Sequence, residues 1–393
     1  MVSPMSDARV KPSIHGLRIS IASLLTLAAC TPVAGGSVSE KPTSEVKPEP
    51  TAPEPFDPRP RALAPYQGGS SCNLVHDGDS LYWLLQGFEA RSARPPSASA
   101  STVLAAAPST AATSMGAVLD CSRTRGTVMA VAADGSAPPR VVAETIGWPW
   151  LLEQDDERLY WIGYCDHGLW SVAKSGGEPQ ALELGGLSLI DVLAMDDRLL
   201  LADRFGGRSG IYSLEVGSGA PTLIAGGGRQ PWLLGPLGAS LIWAEKDQEG
   251  WSALAQDQAG AEPRVLGRFT GQPNDALVVR DRLFVLTGAA LLRFHDGDRP
   301  SPIAAVEDYG DRGNLAAGDG WLYFANGRSG TISRVDGEGR RQEAQVGGEP
   351  CGVAVDDRYL YWLDRGRERV ARASLGLFDD GTAVSELIEP SEE

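Results

Sequence analysis

From Cys72 onward the chain repeats one pattern of apolar and polar positions. An apolar run meets an acidic or glycine-containing turn. The turn opens a second run that begins with leucine and continues through aromatic or aliphatic residues. The instances are Asp77-Gly78-Asp79-Ser80-Leu81-Tyr82-Trp83, Asp155-Asp156-Glu157-Arg158-Leu159-Tyr160-Trp161, Asp196-Asp197-Arg198-Leu199-Leu200-Leu201, Gly238-Ala239-Ser240-Leu241-Ile242-Trp243, Asp281-Arg282-Leu283-Phe284-Val285, Asp319-Gly320-Trp321-Leu322-Tyr323-Phe324 and Asp356-Asp357-Arg358-Tyr359-Leu360-Tyr361-Trp362. The aligned leucines stand at 81, 159, 199, 241, 283, 322 and 360, in steps of 78, 40, 42, 42, 39 and 38 residues. A short loop, a glycine and an alternating segment follow, as at 168–172, 210–214 and 330–335. A turn such as Gly176-Gly177 or Asp336-Gly337 then leads to a last short segment, as at 139–144 and 179–184. Period-2 alternation bounded by Gly and Asp turns is the signal of consecutive hairpins, so each unit reads as four antiparallel strands, A to D. A period near 40 residues with four strands marks a propeller blade. The pattern predicts an all-β chain folded as a β-propeller of seven four-stranded blades, with six or eight as the alternatives.

The one long step has a local cause. Trp83 to Gly126 spans 43 residues where Trp161 to Gly168 spans 7, so blade 1 carries an insertion. Residues 86–125 are rich in Ala, Ser and Pro and read as a low-complexity surface loop. Cys72 to Trp83 and Cys351 to Trp362 are both eleven residues, so the chain is expected to enter the propeller at a strand A. Residues 384–389 are expected to supply the last strand D, with no strand borrowed from the opposite terminus. The propeller is thereby assigned to residues 67–393.

Two stretches carry a family resemblance. Val355-Asp356-Asp357 followed by Leu360-Tyr361-Trp362, and Gly330-x-Ile332-x-Arg334 followed by Asp336-Gly337, resemble the YWTD and NHL propeller repeats. The resemblance covers most of residues 72–389. The Thr-Asp that completes a strict YWTD repeat is missing, so that family's six-blade count and receptor–ligand role do not carry over.

Ahead of the repeats lie an address and a spacer. Arg9, Lys11 and Arg18 precede an apolar stretch at 19–29, too short to cross a bilayer as a helix. It ends in Leu27-Ala28-Ala29-Cys30, which resembles the bacterial lipobox. That resemblance implies cleavage of residues 1–29 and lipidation of Cys30; Thr31, rather than Asp, implies the outer membrane. Two or more acyl chains anchor firmly where one is marginal. Residues 31–66 hold nine prolines and no apolar periodicity. Together with Cys30 they read as a lipidated, disordered tether (30–66), reaching up to about 100 Å at roughly 3.1 Å per residue. The expected location is the cell envelope, lipid-anchored in the outer membrane and facing the periplasm or the cell surface.

Charge and side-chain chemistry narrow the function. A net charge of −16 argues against nucleic acid as a partner. In an antiparallel blade the D–A and B–C loops share one face of the ring, here called upper. That face collects Cys72, Cys351, Cys121 and Cys165 from neighbouring blades. The favoured disulfides are Cys72–Cys351 and Cys121–Cys165, with Cys72–Cys121 as the rival. No CxxC spacing supports a zinc site. The same face carries the candidate ligand-binding residues Trp148, Trp150, Tyr164, His167, Gln230, Trp232, Asn274, Asp275, Arg312 and Asn314. Aromatics and amides around a concavity suit a protein, peptide or glycan, although large residues entering strand A also serve as packing. The repeated Asp pairs admit a calcium reading and a simpler one, as turn residues bonded to backbone. His76 and His295 fall on the opposite face from His167, and no nucleophilic pairing is legible. No catalytic residue, metal or cofactor is assigned. The expected role is a monomeric, non-catalytic binding or scaffolding propeller. The alternative is a lyase or hydrolase resembling the streptogramin lyases, which place a histidine, a carboxylate and a metal on one face. Only His167, with Asp166 or Glu245, is available for that.

Overall fold

The computed structural model describes residues 61–65, 71–88, 124–195, 197–204, 209–217, 219–226, 230–294, 300–306 and 315–379. They form seven four-stranded antiparallel sheets, and in six of them each strand is bonded to its sequence neighbour. The inner strands A are Leu74–His76, Pro149–Gln154, Leu189–Met195, Trp232–Leu237, Pro273–Val279, Leu315–Gly318 and Pro350–Val355. Each touches the next around the ring, and the seventh touches the first. The chain is a seven-bladed β-propeller.

The second strands explain why the repeat is so apolar. They are Ser80–Phe88, Arg158–Gly163, Arg198–Asp203, Ser240–Lys246, Arg282–Thr287, Trp321–Asn326 and Tyr359–Asp364. Both faces of each are covered by neighbouring blades, so alternation with polar residues disappears. In blade 1, Leu81 and Trp83 pack against Tyr361 and Leu363 of blade 7. Tyr82 and Leu84, on the other face, pack against Leu152, Leu159 and Trp161 of blade 2. Trp83, Trp161, Trp243 and Trp362, each two residues past an aligned leucine, are fully buried. Removing such an indole costs about 3–5 kcal/mol.

The acidic turns are structural devices. Asp77 Oδ1 accepts from the N–H groups of Asp79 and Ser80, and its Oδ2 from the Tyr82 hydroxyl at 2.9 Å. Asp155 repeats this with Glu157, Arg158 and Tyr160. Asp356 does so with Arg358, Tyr359 and Tyr361. Each carboxylate is spent on two backbone donors and a hydroxyl five residues on, which bears out the turn reading. Burial and the Asp77 carboxylate push the Tyr82 phenol up to about 12. Asp196 lies outside the described residues.

Blade 7 corrects the expected closure. Its fourth strand is Arg61–Pro65, antiparallel to Arg369–Ser374. The strand-D place foreseen for residues 384–389, which lie outside the described residues, is already taken. The propeller therefore starts at 61 and not 67, and the last residues assigned to the tether are a strand. Ala64 is buried in the seam between blades 7 and 1. A register shift between Ala62 and Ala64 matches the shifts in the fourth strands of blades 1, 3, 4 and 5. The insertion is also shorter than expected at both ends, because Gln86–Phe88 pair with Thr124–Gly126. Residues 89–123, like 1–60, lie outside the described residues.

A disulfide fastens the same seam. Cys72 and Cys351 are bonded, with Cα atoms 5.4 Å apart, as the favoured pairing required. Gly352, at φ +55°, permits the approach: a Cβ there would sit 2.0 Å from the Cys72 carbonyl oxygen. Cys165 is also disulfide-bonded, and Cys121 lies outside the described residues.

Candidate functional site

The upper face is shaped by a recurring irregularity. Strand A carries a register shift near that face in five blades: between Trp150 and Leu152, Leu189 and Asp191, Leu233 and Gly235, Pro273 and Asp275, and Cys351 and Val353. An extra residue bends the strand and re-aims the side chains beside it. Leu151, inside the blade 2 shift, adopts φ +54°.

Blade 2 gathers four of the candidate residues. The Tyr164 ring lies 6.3 Å from both Trp148 and Trp150, inclined 52° to the first and 90° to the second. The His167 ring is 6.1 Å away, inclined 48°. Tyr164 is 51% exposed, the only aromatic among the exposed large apolar residues described. Its loop is tightly built. The Tyr164 N–H donates to the Trp148 carbonyl at 2.7 Å, and the His167 N–H, at φ +50°, donates to the Gly163 carbonyl at 2.8 Å. Asp166 accepts from the Gly168 N–H at 3.0 Å and the Trp170 indole at 3.2 Å. A Cβ on Gly163 would come within 2.2 Å of that carboxylate. The disulfide at Cys165 adds a covalent anchor. Below, Trp150 is half-buried against the cores of blades 2 to 4, and its Nε1 is buried with no hydrogen-bond partner among the described residues. The result is an aromatic surface whose backbone is ordered before any ligand arrives.

The other candidates sit apart. Trp232 is buried edge-on to Trp251, ring centroids 6.5 Å apart, inside the blade 4 core. Asn274 is buried. Asp275 accepts from the Leu315 N–H at 3.0 Å and so ties blade 5 to blade 6. Asp191 does the same from blade 3 to Leu233 of blade 4, at 2.7 Å. Gln230 is half-buried at φ +52°. Arg312, Asn314 and His295 lie outside the described residues. His76 is on the lower face, 5.1 Å from the Tyr361 ring, where burial lowers its pKa despite nearby Asp356 and Asp77. Glu245 accepts from the Trp243 indole at 2.7 Å, and burial raises its pKa. Asp166 is occupied by its own loop. Among the described residues no group of three or more His, Cys, Asp and Glu is placed to hold a metal ion.

Reading the sequence alone misses one repeated position: the residue four past the aligned leucine. It is Asp203, Glu245, Thr287, Asn326 and Asp364 in blades 3 to 7. Asp203 accepts from the Ser188 N–H, Thr287 from the Ala290 N–H, and Asp364 from the N–H groups of Glu349 and Arg367. Asn326 donates to Ser333 Oγ. Asp203, Thr287 and Asp364 thereby pin loops of the upper face to the ends of their second strands, whereas Asn326 and Glu245 bond to strand residues of their own blades. The leucine alignment contains the signal, but the identity changes from blade to blade.

No family model and no curated protein matches this sequence. Solved structures share the fold at low identity. Virginiamycin B lyase from Staphylococcus aureus is 12% identical over 63% of this chain and 88% of that chain, with a TM-score of 0.46. The PQQ-bound aldose sugar dehydrogenase from Streptomyces coelicolor is 15% identical over 60% of this chain and 96% of that one, at 0.43. BamB from Moraxella catarrhalis is 11% identical over 60% and 86%, at 0.38. Similarity at this level concerns fold and carries no argument about activity, substrate or partner.

Proposed function

We propose that this chain is an envelope lipoprotein, held at Cys30 by lipid and built from YWTD/NHL-like repeats. Its propeller binds a protein, peptide or glycan without catalysis, through the aromatic cluster of blade 2. One observation carries the site: a half-exposed Tyr164 seated on Trp148, Trp150 and His167, on a loop whose backbone and disulfide are already fixed. Preordered aromatics supply contact area at low entropic cost, and such residues dominate binding energy at interfaces. The short apolar signal, the Ala-Ala-Cys cut and the proline-rich spacer support a tethered display.

The test uses the full chain in detergent as bait for solubilised envelope, followed by titration of each captured species. Tyr164→Ala is expected to cost about 2 kcal/mol, roughly thirtyfold in Kd, with unchanged thermal stability. A partner indifferent to Tyr164→Ala and Trp148→Ala would place binding elsewhere. Separately, Cys30→Ser is expected to move the chain from the membrane to the soluble fraction; retention in the membrane would refute the anchor.

A further inference from the structure

We propose that the cleft between blades 5 and 6, on the lower face, binds a phosphate group. The cleft is open to solvent and has a volume of about 440 Å³. Blade 5 contributes Arg280 and Arg282; blade 6 contributes Arg340 and Trp321, over a floor of buried Phe284 and Leu322. Three guanidinium groups line the cleft beside three carboxylates, those of Asp319, Asp336 and Glu338.

The carboxylates present do not account for all three. Arg340 Nε lies 2.6 Å from Asp336, and Arg282 is 3.5 Å from Glu338. Asp319, also in the lining, is exposed, as are the three arginines. Arg280 has neither a hydrogen-bond nor an ion-pair partner among the described residues. The Arg280 guanidinium lies over Gly320 and that of Arg282 over Gly337, 3.0 and 3.4 Å from where a Cβ would stand.

The backbone at Arg280 points the same way. Arg280 and Asp281 form a two-residue hairpin turn with φ +51° and +59°. That left-handed pair favours Asn-Gly or Asp-Gly, and the corresponding turn of blade 6 is Asp319-Gly320. Asparagine tolerates that conformation better than arginine does, so the turn itself does not call for Arg280. Trp321 is a fixed wall: Arg334 stacks on its ring at 4.5 Å and rests on Phe378 at 4.6 Å. Several planar donor forks around one cavity match the oxygens of a phosphate group. Its source is either a soluble phosphorylated compound or a lipid headgroup. Strand Arg61–Pro65 runs from the lower face to the upper, so the chain enters the ring on the face that carries this cleft.

The experiment titrates the full chain in detergent with inorganic phosphate at constant ionic strength. In parallel, the Cys30→Ser chain is sedimented with phosphatidylglycerol or phosphatidylcholine vesicles. Arg280→Asn suits the left-handed turn and is expected to keep or raise Tm while weakening binding at least tenfold. Arg340→Gln serves as the second variant. Phosphate binding lost in these variants supports a soluble ligand. Binding to phosphatidylglycerol vesicles alone, lost in the same variants, supports a headgroup. If neither probe binds the parent chain, or both variants bind as the parent does, the proposal is overturned. The upper-face function is unaffected by any of these outcomes.

Discussion

Asp77 and Asp356 each turn a hairpin, and between them sits a histidine they do not win over. Both carboxylates favour the charged imidazole of His76, yet burial under Tyr361 outweighs them and lowers its pKa from 6.5. The folded chain therefore holds His76 neutral at pH values where the unfolded chain protonates it. Its stabilising share is present above about 6.5 and is lost as the pH falls toward the lower folded-state pKa. Denaturant midpoints at pH 7.5 and 5.5 are expected to differ more for the native chain than for His76→Phe. Equal differences would assign the acid sensitivity to other groups. At this scale the aspartates were legible, because an Asx turn is local chemistry written in adjacent residues. The fate of His76 was not: its position at the A–B turn was readable, but its burial depends on Tyr361 of another blade.

Strands were legible in proportion to how much of their surface neighbours cover. The Leu-aromatic second strands are sandwiched on both faces and announce themselves. The fourth strands lie at the rim, where Val141, Leu223 and Val265 stay exposed, and their pattern is weak. Arg61-Ala62-Leu63-Ala64-Pro65 is weaker still and sits in a run of prolines, so only the empty edge of Arg369–Ser374 reveals its place. The two sites differ likewise. Trp148, Tyr164 and His167 occupy loop positions the repeat predicts, and Trp150 the start of a strand A. Arg280, Arg282 and Arg340 meet only because two turns of adjacent blades face one another. Deleting residues 1–65 removes the paired edge, buried Ala64 and the strand packed outside blade 7. At roughly 1 kcal/mol per lost hydrogen bond the cost is about 3–4 kcal/mol, with aggregation through the bared edge. A chain starting at residue 60 is expected to keep its Tm, and so is one ending at 379. If the chain starting at 66 melts like that starting at 60, the strand does not close the ring.

The whole molecule is a ring with one seam, and both fasteners sit on it. The terminal strand joins the outer edge of blade 7, and Cys72–Cys351 joins the inner strands of blades 1 and 7 across a sequence separation of 279. The two act on different states. The strand contributes native contacts, whereas a disulfide closing so long a loop mainly restricts the unfolded chain, by about 5.6 kcal/mol in the loop-entropy model. Converting both cysteines to alanine is expected to lower global stability by up to that amount. The same change removes the tie that keeps the seam shut in the native state. Native-state hydrogen exchange separates the two effects. Amides of Ser80–Phe88, beside the seam, are expected to exchange faster than those of Ser240–Lys246, remote from it, only in the chain lacking the Cys72–Cys351 bond. Uniform acceleration around the ring would mean that the bond acts through the unfolded chain alone. Selective acceleration at the seam would show that the native propeller opens there.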